Sequence, residues 1–110
     1  MDILRRGDFV TIAVQGDYGK PRPALVIQAN QFSNHESITV LQLSGTYQDA
    51  PFIRISIEPN ANNGLRKPCQ IMVDRAMTLK RNKIGKPFGH IEPDTMLKVN
   101  HALAVFLGIV

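Results

Sequence analysis

Cysteine is almost missing from these 110 residues. Cys69 stands alone, so no internal disulfide can form, and a reducing compartment is expected. Histidine is scarce as well. His35, His90 and His101 lie far apart, and none has a second ligand at a spacing typical of a metal site. His101 falls among apolar helix positions and reads as a surface or packing residue. Cys69 heads a predicted strand, where cysteine is most often a small buried hydrophobe. No metal or other cofactor is expected. The glycines form no P-loop, no dinucleotide fingerprint and no serine-hydrolase elbow. Long apolar runs are absent too. Residues 1–6 hold no apolar core long enough for a signal peptide, and the run 102–110 is too short to span a bilayer. These absences predict a cytoplasmic protein with no membrane role.

What is present has a basic balance. Thirteen Lys and Arg against nine Asp and Glu give a net charge of +4. Such a domain favours anionic partners: nucleic acid, acidic protein segments or a membrane surface. A merely basic solvated surface is the alternative. The length predicts one domain over residues 1–110, with a modest core.

Periodicity supplies the elements. Val10, Ile12 and Val14 alternate in a strand over 8–14. Further strands are predicted at 24–28, 38–43, 52–57 and 69–73, with a short one inside the basic stretch 80–91. In 52–57, Ile53, Ile55 and Ile57 point one way, and Phe52, Arg54 and Ser56 point the other. From Pro93 onward, Met96, Val99, Leu103 and Phe106 keep helical spacing, widened by Ala102 and Leu107. Pro93 suits the first helical position and Gly108 the stop. The fold class is mainly β: a small barrel with a C-terminal helix. Residues 24–27 and 38–43 look apolar on both faces, so a homodimer is expected to cover the excess.

The candidate chemistry gathers in two loops. In Gly19-Lys20-Pro21-Arg22-Pro23 an arginine is clamped between two prolines that stiffen its backbone. Gln15, Asp17, Tyr18, Lys20 and Arg22 form one polar loop, and Ser44, Thr46, Tyr47 and Gln48 another. Adjacent strand ends can bring the two together. Arg22 can hold a phosphate bidentately, Ser44 or Thr46 can hydrogen-bond a phosphate or a sugar hydroxyl, and Tyr18, Phe32 and Tyr47 can stack on unpaired bases. The plain alternative is a turn entering a strand, with a solvated arginine.

The order Arg6-Gly7-Asp8-Phe9-Val10, then Lys20-Pro21-Arg22-Pro23-Ala24-Leu25-Val26-Ile27-Gln28, Leu41-Gln42-Leu43-Ser44 and Lys67-Pro68-Cys69-Gln70-Ile71-Met72-Val73-Asp74, resembles the PemK/MazF family. So does the close from Ile84-Gly85-Lys86 through Gly89-His90-Ile91 to Leu107-Gly108. The resemblance implies an SH3-like barrel acting as a homodimer. It also implies a metal-independent, sequence-specific endoribonuclease toxin of a type II toxin–antitoxin module, silenced by an acidic antitoxin. By position, Arg22 looks like the family's catalytic arginine, and Ser44 falls where the family has a catalytic Thr or Ser. Asp74 matches an acid that some members use. Gln15, Tyr18, Lys20, Gln42, Thr46 and Tyr47 are the candidate RNA contacts. Two departures stand out: the first loop has no histidine, and Met72 occupies a place where some members have arginine. Asp74 therefore reads equally as a structural acid. The rivals are a gyrase-inhibiting toxin on the related CcdB-like fold and a non-catalytic RNA-binding module. The first would lean on the C-terminal helix end, which here lacks a tryptophan.

Overall fold

Phe9, Val10 and Ile12 are all buried, so the first strand hides both of its faces. The computed structural model describes residues 3–14 and 20–110; the candidates Gln15, Asp17 and Tyr18 lie outside them. Its strands are β1 (Asp8–Ala13), β2 (Pro21–Val26), β3 (Ser37–Ser44), β4 (Arg54–Ile57), β5 (Cys69–Lys80) and β6 (Gly89–His90), followed by the helix α1 (Pro93–Phe106). They form one curled antiparallel sheet in the order β4-β5-β3-β2-β1-β6, the small barrel with a C-terminal helix that the periodicity predicts.

The pleat sorts the side chains into two clusters. On one face, Phe9, Leu25, Leu41, Leu43, Ile71 and Val73 pack against Val99 of α1, with Met96, Ala102 and Leu103 beside it. On the other, Val10, Ile12, Ala24, Val26, Ile38, Val40 and Leu79 gather around Leu4 and Ile84. The chain therefore covers both faces of residues 24–26 and 38–41 by itself, and these strands leave no apolar face for a second copy. Apolar surface is left instead on and after α1, at Leu97, Phe106, Leu107, Ile109 and Val110. The helical stripe holds through Leu103 and then runs off the sheet, so Phe106 and Leu107 stay exposed.

Three boundaries differ from the sequence pattern. First, β2 starts at Pro21, which puts Arg22 inside the strand, opposite Ile12. Pro21 and Pro23 face Ala13 and Thr11 of β1, while pairing with β3 starts only at Ala24. Proline has no N–H to offer a second neighbour. Second, β5 runs twelve residues, well past Val73. Leu41 faces Ala76 and Leu43 faces Ile71, so two steps along β3 match five along β5. A bulge absorbs the excess and bends the strand, and the polar pair Asp74-Arg75 lies in it. Third, β4 starts at Arg54, because the N–H groups of Ile53 and Arg54 both donate to the Ala50 carbonyl and curl the chain just before it. Arg54 is buried, against the alternation that assigned it to the open face.

The N-terminal Arg6-Gly7-Asp8 is a joint. Gly7 takes φ +95°, its N–H donates to the Val26 carbonyl at 2.8 Å, and the Arg6 Nε donates to the Ile27 carbonyl at 2.8 Å. A second close approach fixes β6: a Cβ on Gly89 would lie 2.4 Å from the carbonyl carbon of Asn63. The Asn63 carbonyl carbon and its oxygen, also 2.4 Å away, belong to packed backbone, so neither yields cheaply. Gly89→Ala is expected to destabilise the fold by about 2–4 kcal/mol. Urea unfolding checks this, and an unchanged midpoint would contradict it.

Candidate active site

One row of residues crosses four strands at the same end of the sheet. Ser56 of β4 faces Gln70 of β5, and Gln70 faces Ser44 of β3. Ala24 of β2 faces Gln42, the last pair of that ladder, and Arg22 and Ser44 each lie two residues beyond it, on the same faces of their strands as Ala24 and Gln42. Cross-strand partners share a face. Ser56, Gln70, Ser44 and Arg22 thus line up on the face that is apolar further along at Ala24, Val26 and Val40. Arg22 and Ser44 flank the place where the β2–β3 ladder ends, which the prolines determine. Gln42 is half-buried one step inward, and Lys20 is exposed just before β2.

The segment after β3 folds back over this row. Ser44 Oγ accepts the Thr46 N–H at 3.1 Å and donates to the Thr46 carbonyl at 3.3 Å, a local turn held by the hydroxyl. The buried Gln70 amide then grips the Gln48 backbone twice. Its Oε1 accepts the Gln48 N–H at 2.9 Å, and its Nε2 donates to the Gln48 carbonyl at 3.0 Å. The same Nε2 reaches Ser56 Oγ at 3.3 Å. Arg54 completes the fastening: its guanidinium ion-pairs with Asp74 and sends Nη2 to Gln48 Oε1 at 3.4 Å. Asp74 sits in the bulge of β5, with Arg75 Nε 3.8 Å from its other oxygen.

Arg22, Ser44, Gln42, Thr46 and Tyr47 belong to one end of the sheet. Gln48 belongs to the second candidate loop, whereas Arg54, Ser56 and Gln70 were not among the candidates. Arg54 is hidden in a strand whose alternation marked it as solvated, and the relevance of Gln70 depends on register, which needs the β3–β5 pairing. Lys67 was also missed. A Cβ on Gly45 would come 3.0 Å from its Nζ, so a second cation stands beside the Ser44–Thr46 turn. Cys69 lies on the opposite, apolar face. Its Sγ donates to the Lys67 carbonyl at 3.3 Å, and burial raises the thiol pKa, with the Lys67 charge pulling the other way. Among the described residues no three His, Cys, Asp or Glu side chains come together. A cavity of about 790 Å³, lined by Leu4, Glu36, Lys80, Arg81 and Ile84 among others, shares no residue with the row.

Comparison with known proteins bears on the whole chain. Residues 5–107 match the family described as PemK-like, MazF-like toxin of type II toxin-antitoxin system. A protein of Mycolicibacterium smegmatis named probable endoribonuclease MazF is 40% identical over 107 residues, covering 96% of this chain and 98% of that protein. Two solved structures share the fold. A mycobacterial endoribonuclease in complex with its cognate antitoxin superposes with a TM-score of 0.80 at 24% identity, over 97% of each chain. The MazE-MazF structure from Deinococcus radiodurans gives 0.78 at 18% identity, over 98% of each chain. A match over nearly the whole length, carried by a sequence relative at 40% identity, places this chain in the PemK/MazF family of type II toxin–antitoxin toxins.

Proposed function

We propose that the chain is the endoribonuclease toxin of its module and cuts single-stranded RNA at the Arg22–Ser44 end of the sheet. The observation that carries this reading is the row itself. A guanidinium and a hydroxyl share one face at the end of a ladder, with Lys67 and Lys20 nearby and no strand pairing between them. A family member named a probable endoribonuclease at 40% identity supports it.

The reaction is a transesterification. The ribose 2′-oxygen forms a bond to the adjacent phosphorus as the bond to the 5′-oxygen breaks. The fragments carry a 2′,3′-cyclic phosphate and a 5′-OH, and the proton lost from the 2′-OH is balanced by one gained at the 5′-oxygen. Charge develops on the phosphorane oxygens, and Arg22 is the group that meets it. A guanidinium holds its proton too firmly to be a good donor, so its role is electrostatic. Ser44 orients the sugar-phosphate. Asp74 has one oxygen held by Arg54, so we assign it to fixing that arginine rather than to moving a proton. The gyrase-inhibitor reading loses ground to this one, since the family matched is PemK/MazF and the row supplies reactive groups.

The partners follow from surface chemistry. An acidic antitoxin answers the +4 charge, and the mycobacterial and Deinococcus relatives are seen with antitoxins. A homodimer answers the apolar residues left exposed at Leu97, Phe106, Leu107 and Ile109. The substrate places the protein in the cytoplasm, and no helix among the described residues is long and apolar enough to cross a membrane.

Arg22→Ala should lose ~100–1000-fold in cleavage rate, because it removes a preorganised charge at the reacting group. Being exposed, Arg22 should affect stability by no more than about 0.5 kcal/mol when replaced. Arg22→Lys should also be poor, since a point charge does not reproduce the fork. Wild-type rates from either variant, measured on a labelled RNA, would remove Arg22 from the mechanism.

Cleavage should persist in EDTA and yield cyclic-phosphate and 5′-OH ends. A substrate with 2′-deoxyribose at the scissile position should stay intact; cutting of that substrate would exclude transesterification.

Co-expression with a neighbouring gene for a small acidic protein should give a complex without ribonuclease activity, and denaturing the partner should restore it. Full activity at equimolar partner would argue against a toxin–antitoxin pair.

A further inference from the structure

Tyr47 is 71% exposed and Phe52 is 81% exposed, the two most exposed aromatic side chains among the described residues. Both belong to the short connection from β3 to β4, five residues apart. An exposed ring in a loop is usually paired with a mobile backbone. Here the backbone between the rings is fastened at several points. Gln70 grips both polar groups of Gln48, the Ala50 N–H donates to the Gln48 carbonyl at 3.1 Å, and the Ala50 carbonyl accepts from Ile53 and Arg54. Pro51 fixes its own φ. The buried Arg54–Asp74 pair anchors the far end.

We propose that Tyr47 and Phe52 form a stacking platform for unpaired bases of single-stranded RNA beside the cut, with Gln70 and Arg54 as the positioning residues that hold it open. The proposal rests on the ribonuclease reading given above. Three facts select RNA as the occupant. The rings present open faces to solvent rather than closing a pocket, which suits bases that offer faces of their own. Tyr47 follows directly on the turn that the Ser44 hydroxyl holds, which puts this end of the platform next to the reacting phosphate. Lys67 stands against Gly45, and Arg22 lies two residues past the last β2–β3 pair, which provides cations for the flanking phosphates. Because the loop is already ordered, binding a strand need not order it, and the stacking energy goes into affinity.

The test uses fluorescence anisotropy of the full-length protein with a 5′-fluorescein single-stranded RNA of mixed sequence, in an Arg22→Ala background that leaves the RNA uncut. Tyr47→Ala and Phe52→Ala should each weaken binding about tenfold, as expected for one lost base–aromatic contact. Tyr47→Phe and Phe52→Tyr should bind as the parent does. An RNA duplex, whose bases are already stacked, should show no such loss. Gln70→Ala should weaken single-strand binding in the presence of the rings, and should add nothing in the Tyr47→Ala/Phe52→Ala double variant. A purely structural Gln70 would lower affinity equally in both backgrounds. With Arg22 restored, Phe52→Ala should raise KM and leave kcat unchanged.

Parent-like affinity of both alanine variants would overturn the platform, even if the protein cuts RNA as proposed. Absence of any RNA cutting by the wild-type protein would instead overturn the ribonuclease reading. If the alanine variants keep RNA affinity and lose affinity for an acidic antitoxin peptide, the rings are a peptide-docking surface and the proposal fails. Tyr47 and Phe52 are exposed, so these variants should fold, and the platform can be judged even if Gln70→Ala does not.

Discussion

The pairing of β3 on both of its sides is the constraint from which the rest follows. Leu41 and Leu43 must face the cluster that α1 covers, so the pleat sends Gln42 and Ser44 to the opposite face. A slip of one residue would bury Ser44 and expose the leucines. On one side Ala24 sets the register with β2, and on the other Ile71 and Gln70 set it with β5. The hydrophobic demand of the core therefore places the polar row across four strands. No separate device is needed to bring Arg22 near Ser44.

The polar side of the sheet is more expensive to build than the apolar side. Arg54 brings a charge into a buried position, and Asp74 meets it. Removing Asp74 would cost about 3–5 kcal/mol, because the Arg54 charge would stay buried alone. Gln70 is buried with its donors and acceptor all engaged, by the Gln48 backbone and Ser56. A buried amide left unmatched costs about 1–3 kcal/mol. These groups do little for stability that an apolar residue would not do. What they give is a fixed path for the chain between Ser44 and Arg54.

How far the sequence reveals this depends on the range of each interaction. The alternation around Val10 and Ile12 and the helical stripe at Met96 and Val99 are local, and both elements stand where the pattern puts them. Arg22 and Ser44 are legible because a stiff Pro-Arg-Pro and a strand-end serine are local signals too, and because a family pattern runs through them. Gln70 and Arg54 gave no such local signal, although the family pattern also runs through Gln70. One lies in an apolar run, the other on a face that alternation marks as open. Their importance arises from partners 22 and 20 positions away along the chain. The length of β5 was hidden for a related reason. Asp74-Arg75 reads as a strand end, and only the ladder with β3 shows that the strand continues through a bulge.

The strand order has a consequence for how the chain comes to fold. β1 is made first, yet one of its partners is β6, made nearly last, and Phe9 shares its cluster with Ile91 and Val99. The earliest part of the core waits for the latest. Pairings of that separation form slowly, since a long loop must close before the contacts repay it. A chain that lacks residues 89–106 leaves Phe9 uncovered, so the sheet that carries the row is complete only once β6 and α1 have closed over its first strand.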